Sequence, residues 1–336
     1  MTWLRSYYLD ITWLIILLTT AMLATLLHQL SLQGQWMPTQ LEQVTTIFIS
    51  LIIEALPFLL IGILIAGAIQ LFVTEEHVQR WIPKHPVLSV LMGCVVGSIF
   101  PACECGIVPI VRRLIYKGVP IPAALGFLLT GPLINPMVIF STYMAFGQSL
   151  EMAGMRMGIG FVAACIIAFT ARSLLRTNPF KQDGVKAVNH PHTKKAPFIE
   201  RFRHMLNHSI DELFDVGKFF VLGALLAALM QTFVAAGDML LFGQNMMSST
   251  LLMMALAFLL SLCSEADAFI GASFSSIFPT TSILAFLIYG PMIDLKNTLM
   301  LLSVFKPKFV VSFVLLVTVI VACTVWLSAL LFQLGV

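Results

Sequence analysis

Charge is what this chain lacks. Only 10% of its residues are Asp, Glu, Lys or Arg, against about 25% in a soluble domain. A surface so poor in charge cannot meet water on every side, which excludes an ordinary soluble fold. The net charge of +3 is small and no basic stripe interleaves with aromatics, so nucleic acid is excluded as a partner. No Gly-rich phosphate loop of the Walker type occurs, so energy would come from an ion gradient or a partner subunit. No cofactor motif is present. The cysteines Cys94, Cys103, Cys105, Cys165, Cys263 and Cys323 lie in or at the ends of apolar segments, unlike a secreted disulfide framework. His190, His192 and His204 sit in a polar stretch without ordered ligand spacing and read as solvated.

Apolar runs fill the space that charge leaves. Runs of about 20 residues cross a hydrocarbon core roughly 30 Å thick, and several follow one another. The pattern predicts an all-α, polytopic membrane protein, embedded in the lipid bilayer by about nine spans: 11–30, 44–73, 86–105, 120–146, 152–175, 209–236, 249–264, 280–303 and 308–334. The run from Ile11 to Leu27 after Arg5 is long for a signal peptide and is expected to stay as a first helix. The expected organisation is an N-terminal helix (1–40), a first membrane repeat (41–175), a linker (176–207) and a second repeat (208–336). The linker carries Arg176, Lys181, Lys186, Lys194, Lys195, Arg201 and Arg203 against Asp183 and Glu200, which predicts a cytoplasmic location. Arg112, Arg113 and Lys117 fall on the same side by counting spans, whereas Lys306 and Lys308 fall opposite.

An internal repeat is the most informative feature. Glu54-Ala-Leu-Pro-Phe58, Gly62, Ala66 and Gln70-Leu-Phe-Val73 match Asp215-Val-Gly-Lys-Phe219, Gly223, Ala227 and Gln231-Thr-Phe-Val234, every pair at the same separation. That separation carries Glu104 onto Glu265. After a slip of two positions, Gly131-Pro-Leu-Ile-Asn135 falls on Gly290-Pro-Met-Ile-Asp294. Such halves relate either as parallel or as inverted repeats, and the pattern leaves both open.

Repeat transporters bind where helices break at corresponding places. Here those places are Phe100 to Gly106, Ser261 to Asp267, and the two Gly-Pro-x-Ile segments ending at Asn135 and Asp294. Pro101 and Gly106 disfavour a continuous helix. Cys103 and Cys105 point apart on a helix but together on extended backbone, so they can grip one soft ion only across a real break. Soft thiolates select thiophilic centres, and Cys263 beside the matching turn is a candidate third thiol. Acidic side chains at membrane depth cost about 2.5–3.5 kcal/mol each. Glu54, Glu104, Asp215, Glu265, Asp267 and Asp294 recur at matched places and suit ion binding or proton coupling, the latter for Glu54, Asp215, Glu104 and Glu265. Against this stand bland readings: thiols as packing, and Glu54 and Asp215 as residues near span ends.

Pro101-Ala-Cys-Glu-Cys-Gly106, Gly131-Pro-Leu-Ile-Asn-Pro136 and Cys263-Ser-Glu-Ala-Asp267 resemble the bacterial predicted permeases of the YraQ-like family, which includes an organoarsenical efflux permease. The resemblance runs from about residue 41 to the end. It implies a multi-pass protein of the inner (plasma) membrane, often paired with a second permease subunit, and not an enzyme. The function expected is export of a small thiophilic or cationic solute, such as a trivalent arsenical or a metal ion, through a site between the repeats. Two alternatives stand beside it: a thiol redox protein using Cys103 and Cys105, and a non-transporting sensor or scaffold. Ser264 and Ala266 replace both cysteines in the second half while the glutamate remains, which favours a duplicated transport scaffold.

Overall fold

The computed structural model describes residues 39–72, 78, 80–83, 85–100, 103–174, 198–233 and 245–333. The first expected span, Pro101 and most of the linker lie outside the described residues. Among the described residues there are twelve helices: α1 (Thr39–Phe72), α2 (Pro86–Ile99), α3 (Glu104–Tyr116), α4 (Ile121–Thr130), α5 (Pro136–Ala145), α6 (Leu150–Leu174), α7 (Phe198–Phe233), α8 (Met246–Leu260), α9 (Ser264–Ser273), α10 (Thr280–Met292), α11 (Leu295–Val304) and α12 (Pro307–Gln333). The fold is all-helical. α1 to α6 and α7 to α12 follow the same order of long, short, short, short, short and long.

Among the described residues five stretches are long and apolar enough to cross a bilayer: Leu41–Phe72, Leu150–Arg172, Met205–Phe233, Thr280–Val304 and Pro307–Leu331. Their outer faces are largely apolar, with Glu54, Asp211 and Asp215 among the exposed acids. On α12, Val311, Leu315 and Val319 are exposed at helical spacing while Val310, Phe313, Val317 and Val321 are buried, as expected where lipid replaces water.

Three expected spans are not single helices. The span expected at 86–105 ends at Ile99, and Phe100 turns extended before α3 starts. The span at 120–146 divides into α4 and α5, and the one at 280–303 into α10 and α11. Pro136 explains the first of these divisions: it lacks an N–H and suits the first position of a new helix. The α10–α11 break at Ile293 and Asp294 is extended on both residues. α7 begins at Phe198, inside the stretch assigned to the linker.

Small residues let the long helices meet. α1 packs on α7, where Ala66, Ala224 and Ala227 are fully buried; in lipid, close approach of backbones drives association. Gly106 sits within α3 rather than breaking it. Its absent side chain serves contact: a Cβ on Gly62 of α1 would lie 2.3 Å from the Gly106 carbonyl. Gly223, the match of Gly62, meets a different neighbour, the Lys296 Cα of α11, at 2.9 Å from such a Cβ.

A buried ion pair ties the far end of α3 to α7. Arg113 donates from Nε and Nη2 to Glu212 Oε2 at 3.0 and 2.7 Å, and Arg112 lies 3.6 Å from Oε1. Lys117 Nζ donates to the Gln70 carbonyl at 2.9 Å. Arg113, expected in a loop, is therefore an internal strut, with its charge at a helix C-terminus where the dipole favours it.

Replacing Gly62 by Val should push α1 off α3 and cost about 2 kcal/mol, the usual penalty of overpacking. Gly154 of α6 has open space around it, so Gly154→Ala should be neutral or stabilise by up to about 1 kcal/mol. Thermal unfolding of both variants in detergent checks the contrast; equal midpoints would refute the contact.

Candidate functional site

A helix that starts inside a membrane exposes N–H groups that need partners. Four short helices start this way, and each has a distinctive residue at its cap. Asn135 caps α5, its side chain accepting from Met137 N at 3.0 Å. Asp294 caps α11, accepting from Asn297 N. The Cys263 thiol caps α9, accepting from Ala266 N at 3.4 Å. Cys103 caps α3 with φ −80° and ψ 170°, and its thiol faces the amides of Cys105 and Gly106 without forming a cap hydrogen bond. α3 packs against α11 of the other half, and α9 against α5. Short helices of α1–α6 thus pack against short helices of α7–α12.

Cys103 is extended where α3 starts, while Glu104 and Cys105 are already helical, so the two thiols are not on one extended segment as expected. The Cys103 Sγ faces that of Cys105, which is buried on the first turn of α3. Glu104 lies between them in sequence and is 3% exposed. Cys263 is within electrostatic reach of Glu104, and its thiol faces the Glu54 carboxylate. Cys103 in turn feels Glu265 of the opposite half. The structure therefore gathers Cys103, Glu104, Cys105, Cys263, Glu265 and Glu54 around one centre. Among the described residues no three His, Cys, Asp or Glu side chains form a ready metal cage.

Glu54 is near the middle of α1, not near a span end, and is exposed. Its match behaves differently. Asp215 is exposed and pairs with Lys218 at 3.0 Å, away from the centre. Asn135 is buried and occupied with capping.

Asp267 and Asp294 are each 1% exposed. Asp267 packs on the last turn of α10, where a Cβ on Gly290 would be 2.7 Å from its Oδ2. That is the physical need behind the second Gly-Pro segment.

Two buried cations escaped the sequence reading. Lys296 is 2% exposed, with its Nζ 4.0 Å from Asp294 Oδ2. Arg156 is the largest fully buried side chain among the described residues. It donates from Nε to the Leu287 carbonyl at 3.1 Å, from Nη1 to Thr142 Oγ1 at 2.6 Å, and from Nη2 to the Ser264 carbonyl at 3.1 Å. One guanidinium thereby joins α5, α6, α9 and α10. The signal was present, because a lone charge inside an apolar span marks a site or a strut. Ser261 completes the second break with φ 50° and ψ 46°, and its Oγ accepts from Lys296 N at 3.1 Å. Gln231 Nε2 donates to the Leu260 carbonyl.

Repeat transporters carry helix breaks of this kind where they bind cargo. Sequence comparison bears on the class. The profile of a family described as "Predicted permease" matches residues 40–330. This chain belongs to that family. It is 47% identical over 279 residues to the "UPF0718 protein YcgR" of Bacillus subtilis, covering 83% of this chain and 94% of the relative. It is 41% identical over 278 residues to a "Putative two-component membrane permease complex subunit" of Streptococcus mutans, covering 83% and 92%. No solved structure matches. The permease family and the apolar helices together make this a multi-pass membrane protein.

Arg156→Lys should destabilise the permease by about 3 kcal/mol, because an ammonium cannot span three oxygens and hydrogen bonds to a charged donor contribute about 1.5–3 kcal/mol each. Thr142→Ser keeps the hydroxyl and should cost much less. Detergent unfolding of the two variants tests the strut; similar stability would remove it.

Proposed function

We propose that this permease exports a small solute with a soft, thiol-seeking centre, a trivalent metalloid or a soft metal cation, and that it is no enzyme. The carrying observation is the pair of thiols facing each other at the extended start of α3. Soft donors select soft centres, and a helix start at membrane depth is where transporters hold cargo. Cys263 lies across the same centre, near Glu104, so a solute leaving Cys103 and Cys105 has a third thiol on the opposite half. A disulfide-exchange enzyme has no use for Glu54 beside Cys263 or for Glu265 beside Cys103. The complex named for the Streptococcus mutans relative supports a second membrane subunit as partner.

Glu104 and Glu265 are the proposed proton carriers. Each stands on the first turn of a short helix, and both adjoin Cys103. Cargo that binds as a cation displaces a proton from a nearby carboxyl, which links the two movements.

Everted membrane vesicles supplied with trivalent arsenicals, Cd²⁺ or Mg²⁺ test the cargo class. Accumulation of the soft solutes but not Mg²⁺ is expected, and Cys103→Ser and Cys105→Ser should each abolish it at normal protein level. Unimpaired transport by the double variant would return both thiols to packing, and accumulation only in right-side-out vesicles would reverse the direction.

A separate measurement addresses the carboxyls. Glu104→Gln and Glu265→Gln keep shape but cannot titrate, so each should flatten the pH profile of transport. Profiles that match wild type would leave both glutamates as structural.

A further inference from the structure

We infer that a second ligand site, for a hard monovalent cation, lies at the α9–α10–α11 junction on Asp267, Asp294 and Asn297, apart from the thiols. This goes beyond the cargo reading and does not rest on it. The observation behind it is a set of buried oxygens with no hydrogen-bond partner: Asp267 Oδ1, Asp294 Oδ2 and Asn297 Oδ1, with Glu104 Oε2 beyond them on α3. Buried polar atoms in folded proteins are nearly always paired. All of these atoms accept and none donates, so what is missing is positive charge.

Most neighbouring donors are already engaged, and the Ser261 hydroxyl turns to the Asp294 carboxylate without pairing Oδ2. Arg156, on α6, gives its N–H groups to Leu287, Thr142 and Ser264, all uncharged oxygens. The Asn297 amide goes to Asp294 Oδ1, and the Lys296 amide to Ser261 Oγ. Helix dipoles at the starts of α9 and α11 favour the carboxylates, but their N–H groups do not reach the orphaned oxygens. Lys296 Nζ stands 4.0 Å from Asp294 Oδ2, close enough for attraction and too far for a hydrogen bond.

Charge counting agrees. Asp267 and Asp294 are buried with Arg156 and Lys296, and Glu104 is a third buried carboxylate within reach of Lys296; with all three ionised, one negative charge is left over. Asp267 feels Asp294, Lys296, Arg156 and Glu265; Lys296 feels Asp294, Cys105, Glu104 and Cys263. Carboxylate and amide oxygens suit hard ions, so this set is chemically distinct from Cys103 and Cys105. Two carboxylates, one amide and a net deficit of one charge fit a monovalent ion better than a divalent one. A sodium ion and a proton both supply that charge.

The purified full-length chain in detergent separates the two sources. Equilibrium dialysis against ²²Na⁺ should show saturable binding. Asp267→Asn, Asp294→Asn and Asn297→Ala should each weaken it by about tenfold or more. Asp294→Asn retains a good N-cap residue, so loss of binding there is not loss of fold. Binding should persist in the Cys103→Ser, Cys105→Ser double variant, which keeps this result separate from any failure of the thiol reading. If a proton fills the site, sodium does not bind. The folded state then holds a proton that the unfolded chain releases, so the unfolding midpoint falls as pH rises. That slope should shrink in both Asp→Asn variants. A wild-type protein that binds no sodium, and whose pH slope neither Asp→Asn variant alters, would overturn the inference.

Discussion

A backbone that stops being helical inside a bilayer must still pair its N–H and C=O groups. This constraint organises the centre of the permease. At the break before α9, Gln231 covers the Leu260 carbonyl and the Cys263 thiol receives the Ala266 amide. At the break before α11, Asp294 receives Asn297 N, and Ser261 receives Lys296 N. The residues that close the backbone are the ones that carry charge and sulfur. Structure and candidate chemistry therefore cannot be separated by position alone, and conservative substitutions that keep hydrogen bonds are needed to distinguish them.

Matched residues of the two halves do different work. Gly62 admits the Gly106 carbonyl of α3, while Gly223 admits the Lys296 backbone of α11. Gln70 offers its backbone carbonyl to Lys117, whereas Gln231 uses its side chain on Leu260. Glu54 faces Cys263, but Asp215 turns to Lys218. Similar long helices thus hold unlike neighbours. Interfaces of small residues tolerate this because they depend on close backbone approach rather than on interlocking side chains.

The all-helical membrane architecture and the places where helices break are legible in the sequence, because apolar run length, proline, glycine and acids are local signals. Cys103 and Cys105 were legible for the same reason, as neighbours whose relation depends on one local conformation. Arg156, Lys296 and Glu212 were not, since their meaning lies in distant partners. Arg156 reaches Leu287 and Ser264, and Glu212 reaches Arg113, none of them near in sequence. Gly106 was misread as a helix breaker; glycine inside a helix costs only about 1 kcal/mol, and close contact with α1 favours it there. Asp215 was grouped with Glu54 by repeat position, and a lysine one turn away was enough to turn it outward.

Lys296 is the point at which the soft and hard parts of the centre meet. Its ammonium lies in electrostatic reach of Cys105, Glu104 and Cys263 on one side and of Asp294 on the other. Burial weakens screening, so a charge that arrives or leaves at one group is felt at the others more strongly than it would be in water. A cation placed near Asp294 competes with this ammonium, whereas negative charge arriving on the thiol side attracts it. One charge between the proposed thiol and carboxylate sites would therefore link their occupancies without movement of the helices. Coupling between sites is reciprocal by thermodynamic necessity, so a ligand that shifts Lys296 toward the thiols must bind more tightly when the thiols are charged.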